Sequence, residues 1–268
     1  MSATEAVRGV MPRTAFFESI FRNAQDQDME YSLNPFVFLC PSNRYVVMLD
    51  VHRDRYACVL RDQFELLAPW LDGWQDAPSA ARPDRSDRPH GIAAEVARTL
   101  VSQGILTLDA SNSKPVRPVR VPSPRTGMAC IQPPTHRAIL RRTPAFFLAC
   151  RRAHIALQRD RFVTVLTRVA ARHSLDGRHH VVTGASKVQA ARLVAIFAAL
   201  RLFYPRPYLC TFDSLALLEF LAAYALYPRW IFGVRADPFH AHCWVQYGET
   251  VLNDRIEHVT RLSPILAV

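Results

Sequence analysis

The chain has 268 residues, half of them hydrophobic, and a formal charge of +10. That length and apolar content suit two modest domains with real cores, and they exclude a fibrous or disordered chain. Six cysteines without close-spaced pairs exclude a disulfide scaffold, and Arg192, Arg201 and Glu219 break the longest apolar runs, which excludes a membrane span.

The N-terminus carries only a short apolar cluster, Ala15 to Phe17, flanked by Arg13 and Glu18, so no secretory signal is expected and the chain reads as cytoplasmic. Nucleic acid is not the expected partner. The arginines are spread along the chain, and neither a zinc-finger nor an RNA-binding signature occurs. The surplus charge reads as a solvated arginine-rich surface, with attraction of an acidic peptide or protein as its functional counterpart.

In chain order, residues 1–28 read as a tail or short helix. From residue 29 to 109 the pattern is a small mixed module. Phe36 to Leu39, Tyr45 to Asp50 and Arg55 to Leu60 read as strands, with a turn at His52 to Asp54. Asp62 to Leu71 reads as an amphipathic helix with Phe64, Leu67 and Trp70 on one face. After a polar, proline-bearing loop, Ile92 to Gln103 reads as a second helix ending at Gly104, and ILTL as a last short strand. Three strands, two helices and a short strand describe a winged-helix-like module. A DNA-reading winged helix is the other possibility, although little beyond His90 and Arg98 is basic on the last helix. Residues 110–140 are rich in Pro, Ser and Arg, which predicts a semi-rigid extended tether. Residues 141–268 begin with helices over Pro144 to Arg159, Arg161 to His173 and Lys187 to Phe203.

Chemistry gathers between Cys210 and Asp254. Pro205 and Pro207 end the preceding helix. Leu215, Leu218, Ala222 and Ala225 then repeat at helical spacing, so Cys210 or Thr211 starts a helix with Asp213 and Ser214 in its first turn. A thiol there would gain from the helix N-terminus, and the backbone N–H groups could help hold an oxyanion. The helix is apolar on nearly every side and should be buried. Strands follow over Arg229 to Val234, His242 to Tyr247 and Glu249 to Asp254, giving a three-stranded sheet. His242 could activate the thiol, and Asp254 could orient the imidazole. Side chains alternate along strands, so a plain two-residue turn at Gly248-Glu249 would set His242 and Asp254 on opposite faces; an odd loop or a bulge is expected instead. His240, His242 and Cys243 could also be a metal-binding fragment, but a fourth ligand at the usual spacing is missing.

These residues resemble the C-terminal domain of lasso-peptide B proteins, leader peptidases of the transglutaminase-like superfamily. Cys210 with its Ser214 to Leu218 helix, then IFGVRADPF, then AHCWVQYGETVLND follow the family pattern in order and separation over roughly residues 190 to 268. The resemblance implies that Cys210 is the nucleophile, His242 the base and Asp254 the orienting acid. Cys243 stands where the family usually carries Ala or Ser and is expected to lie off the triad face. The oxyanion-lining glutamine of papain-like enzymes has no counterpart. VVMLDV, RYACVL and SQGIL are similar to a precursor-peptide recognition element, which implies that a leader peptide adds a strand near Arg55 to Leu60 and the helix Ile92 to Gln103.

The fold class expected is therefore α+β, a small winged-helix-like recognition domain joined by a Pro-rich linker to a papain/transglutaminase-like cysteine peptidase domain. The function implied is cleavage of the leader from a lasso-peptide precursor. A transglutaminase-like acyl transferase and a non-catalytic leader-binding subunit are the alternatives. Implied partners are the precursor and an asparagine-synthetase-like cyclase. No cofactor or metal is expected on this chain. Its nine glycines form no phosphate-binding loop, so any ATP dependence would come through the cyclase.

Overall fold

The structure is a computed structural model that describes residues 30–74, 88–128, 133–176 and 183–268. The expectations for residues 1–28 and for the loop after Trp74 fall wholly or largely outside these residues. The described chain is mixed α+β. Among the described residues no helix is long and apolar enough to cross a membrane.

A short strand β1 (Ser32–Leu33) leads into a three-stranded antiparallel meander, β2 (Val37–Ser42), β3 (Tyr45–Asp50) and β4 (Arg55–Leu60), in the order β2-β3-β4. The turn into β4 needs a left-handed residue, and Asp54 takes it at φ 50°. β3 is apolar at nearly every position because both of its faces are covered. Val46 and Met48 pack on the helices that follow, whereas Val47 and Leu49 join the core of the C-terminal half.

The helix expected over Asp62 to Leu71 is divided into α1 (Arg61–Glu65) and a 3-10 turn, Ala68–Trp70. Pro69 lacks the N–H that a continuing helix would need. Phe64, Leu67 and Trp70 are nonetheless all buried, as their spacing requires. The helix α2 (Gly91–Ser102) stops at Gly104, whose φ is 71°, and β5 (Leu106–Thr107) pairs back on β1.

The expected tether is instead a strap over its described residues. Lys114 pairs with Leu33 by backbone and sets its Nζ 3.3 Å from the Phe38 ring centroid, and Val116 is fully buried. Farther on, the Pro122 carbonyl accepts from Gln246, and β6 (Thr126–Gly127) lies parallel to residues 250 and 251. Extended, proline-rich backbone is suited to lying along an existing surface, which explains the difference from a free spacer.

The C-terminal half opens with α3 (His136–Arg159), α4 (Phe162–Asp176) and α5 (Gly184–Arg201). The first begins earlier than expected. Thr135 caps it through the Ala138 N–H, and Pro144 sits inside, forgoing a bond to the Leu140 carbonyl. Then come α6 (Cys210–Ala222), β7 (Arg229–Arg235), β8 (His240–Tyr247), β9 (Thr250–Val251), α7 (Ile256–Val259) and β10 (Ser263–Ala267). The expected three-stranded sheet has five strands, in the order β10-β7-β8-β9-β6. The strap supplies one added edge, and the C-terminal residues supply the other.

α6 is buried along its length, from Phe212 to Leu221, between this sheet and α3. The N-terminal meander is docked on the same core. Cys40, Val47, Leu49 and Val51 share one hydrophobic cluster with α3, α5, α6 and β10, and the Cys40 thiol lies 3.8 Å from the Ser263 carbonyl. Burial of this kind, at about 25 cal/mol per Å² of apolar surface, holds the two halves together more firmly than a tether could.

Candidate active site

Cys210 is the first residue of α6. No side chain caps the helix at Leu209; Asp213 reaches back and accepts from the Leu209 N–H at 2.8 Å. Asp213 is almost fully buried, and a charge there needs a partner. Arg201, at the end of α5, provides it through a direct ion pair. The same guanidinium donates to the carbonyls of Tyr204, Arg206 and Pro207, which pins the loop that delivers Cys210.

His242 lies on β8 opposite Gly233 of β7. At Gly233 a Cβ would come within 2.7 Å of the Trp244 ring, so glycine is what lets the ladder close under the histidine. The Gly248 turn corrects the sequence reading. It is a plain two-residue turn, Gly248 at φ 62° with Tyr247 opposite Thr250, and the register runs regularly to the Leu252 N–H on the Val245 carbonyl. What turns Asp254 toward His242 is the end of the strand. Asn253 uses its side-chain oxygen to accept the Val245 N–H at 2.7 Å and its amide to donate to Ser214 Oγ at 3.0 Å. The backbone then leaves the sheet, and alternation no longer binds Asp254.

His242 Nε2 meets Asp254 Oδ2 directly. That leaves the other ring nitrogen for Cys210, which lies close enough that each group shifts the other's pKa. A second imidazole, His258 of α7, brings its Nδ1 to 3.2 Å from each Asp254 oxygen, and the Arg255 N–H also binds that carboxylate. Asp254 thus stays below the usual carboxylate range although burial pushes it up.

Burial likewise works to lower His242, but Asp254 and Cys210 outweigh it and lift the ring to about 9. The Cys210 thiol is held down at about 3, first by the neighbouring Cys243 thiol and then by His242, against burial. The Cys243 thiol is raised correspondingly by the neighbouring Cys210 and by burial. Cys243 was expected off the triad face. It is buried beneath the first turn of α6, its sulfur 3.9 Å from Thr211 Oγ1 and from Ser214 Oγ, because α6 starts directly over β8.

The structure therefore brings Cys210, His242 and Asp254 together as a chain of interacting groups, His242 hydrogen-bonded to Asp254 and electrostatically linked to Cys210. Such a chain can hold a thiolate–imidazolium pair at neutral pH, attack a carbonyl and pass a proton to a leaving group. A cleft of about 600 Å³ opens beside it, lined by Val194, Phe197, Leu217, His242, Asp254 and His258 among others. His242, Asp254 and His258 could each offer one atom to a metal ion, within 4.8 Å of one another. A metal would have to take the imidazole nitrogen that already meets Asp254. Cys243, which the His-Ala-His-Cys reading would add, points away from that set.

Residues 140–267 match the family described as the transglutaminase-like superfamily. This stretch is a transglutaminase-like domain. Comparison with curated proteins and with solved structures returns no match. The transglutaminase-like domain begins within α3 and ends within β10, so it contains Cys210, His242 and Asp254 and leaves the N-terminal meander outside. Domains of this superfamily usually carry Cys-His-Asp enzymes, and the domain is compatible with peptidase or acyl-transfer chemistry.

Sequence reasoning missed Asn253, His258 and the Arg201–Asp213 pair as parts of the site. Only Asp213 left a signal, an acid in an otherwise apolar helix, which demands a buried partner.

Proposed function

We propose that the protein is a cysteine peptidase that binds the leader of a lasso-peptide precursor and cleaves it from the core before a macrolactam is closed. The observation that carries this reading is the convergence of Cys210, at the start of a buried helix, with a His242 that is hydrogen-bonded to Asp254. Cys210 thiolate attacks the carbonyl carbon at the leader–core junction, and N–H groups of the first turn of α6 face the oxyanion. His242 gives its proton to the departing amine, leaving a thioester. It then takes a proton from water, which hydrolyses the thioester. Asp254 keeps the ring oriented and favours its charged form.

The N-terminal meander supports leader binding. β4 is the free edge of its sheet among the described residues, and a groove of about 460 Å³ runs between it and α2, lined by Val59, Leu60, Ile92, Val96 and Leu100. An extended peptide could add there as a strand, with alternate side chains in the groove. In this reading the protein works in the cytoplasm without a bound cofactor. The freed amine passes to an asparagine-synthetase-like cyclase, which would account for any ATP requirement. The second reading is acyl transfer, favoured by the superfamily match, in which an amine resolves the thioester.

Mass spectrometry of a cognate precursor incubated with the protein, with its cyclase and with Cys210→Ala tests these readings. Cleavage at one junction by wild type alone is expected. A product heavier by the amine would support transfer, and precursor left unchanged while the leader still binds would reduce the protein to a recognition subunit.

A further inference from the structure

The N-terminal sheet meets the transglutaminase-like domain at the turn that leads into the strand of His242. Tyr56 lies on β4 opposite Leu49, on the sheet face that packs into the C-terminal core. Its ring stands edge-on to Phe239, 5.3 Å between centroids at 63°. Phe239 belongs to the turn between β7 and β8, three residues before His242, and is 56 % exposed. Tyr56 is itself 37 % exposed. Partial burial of the phenol, with the nearby Asp54 charge, pushes it up to about 12. At the other end of β4, Val59 and Leu60 line the groove with α2. One edge strand thus runs from an apolar groove to the turn that leads into the strand of His242.

We propose that Tyr56 and Phe239 form an aromatic lip across which an extended peptide passes from the β4 edge to Cys210, so that the N-terminal sheet supplies part of the substrate wall of the active site. Two rings in edge-to-face contact make a stiff apolar ledge, and the exposed face of Phe239 is open to an apolar side chain next to the reacting bond. The lip also fixes polarity. A leader lies N-terminal to its core, so its earlier residues sit at the Leu60 end and its later ones at the Tyr56 end, antiparallel to β4. Tyr56 and Phe239 are positioning residues, and their effect falls on peptides rather than on the thiolate. This inference rests on the peptidase reading of Cys210.

Two alkylating reagents separate the claims. Iodoacetamide reports the Cys210 thiolate without needing a bound chain, and a benzyloxycarbonyl-Phe-Ala fluoromethyl ketone reports entry of a peptide. Tyr56→Ala and Phe239→Ala should each lower kinact/KI for the peptidyl reagent about tenfold while iodoacetamide rates stay within about twofold, and Tyr56→Phe should keep most of the wild-type value. A parallel fall for both reagents, or no fall for the peptidyl one, would overturn the lip. So would a wild-type protein that takes iodoacetamide at Cys210 but refuses the peptidyl ketone. If iodoacetamide finds no thiolate at Cys210 below neutral pH, the peptidase reading itself fails.

Discussion

Replacing His242 and Cys243 together by Ala removes the two groups that lower the Cys210 thiol most. In the wild-type protein the thiol lies at about 3 and His242 at about 9. Between those values the sulfur is a thiolate and the ring an imidazolium. Alkylation of Cys210 by iodoacetamide should therefore be nearly flat from about pH 4.5 to 7.5. Below that window the thiolate takes a proton, and above it the imidazolium loses one. In the double variant the thiol returns toward the ordinary value of about 8.5, and its thiolate fraction falls about tenfold for each unit below that. Across the same three units the rate should then change about 1000-fold. Absolute rates discriminate poorly, because a thiolate of low pKa is intrinsically a weaker nucleophile; the slope decides. Rates must be read on the Cys210 peptide by mass spectrometry, since Cys58 is exposed and reacts on its own account. A wild-type rate that climbs tenfold per unit between pH 5 and 8 would refute the ion-pair argument.

Asp254→Asn takes away a charge that holds His242 up and leaves Cys210 alone to oppose burial, the largest influence on that ring. The alkaline end of the flat region should move down from about 9, visible in the same pH series. A raised imidazole also links to stability. Its contribution is complete below the unfolded value of about 6.5 and is lost as pH rises through about 9, so thermal midpoints of wild type should fall across that interval more than those of Asp254→Asn. Arg201→Ala leaves the Asp213 carboxylate buried without its ion-pair partner and should cost about 3–5 kcal/mol in urea unfolding. A loss under 1 kcal/mol would show that the loop relaxes around it. Gly233→Ala drives a methyl into Trp244 and the Leu262 side chain, both packed against it, and should cost about 1–3 kcal/mol. His258→Ala removes one of the bonds to Asp254 and should slow Cys210-dependent turnover severalfold with little change in KM, as read by steady-state kinetics.

Much of the local structure was legible because it depends on neighbours in the chain. Short runs of strand-forming residues over Tyr45 to Leu60 with a turn between them predict the meander, Gly104 predicts the end of α2, and an apolar run after Cys210 predicts a buried helix with the thiol at its head. The types and order of Cys210, His242 and Asp254 suggested a thiol site before any coordinates. Tertiary structure decided how those residues meet. Strand periodicity alone placed Asp254 on the wrong face for a plain turn. Asn253 removes the conflict by ending the ladder with its side chain, a bond to Val245 and Ser214 that only packing of α6 on β8 makes available. The same packing puts Cys243 beneath the first turn of α6, and packing of α5 on α6 puts Arg201 on Asp213. Each is a contact between elements distant in the chain or newly folded against one another, so no local pattern announces it. The proline-rich stretch reads as a spacer because prolines forbid helix and ladder alike. Only the finished surfaces of both halves offered it an edge to lie along.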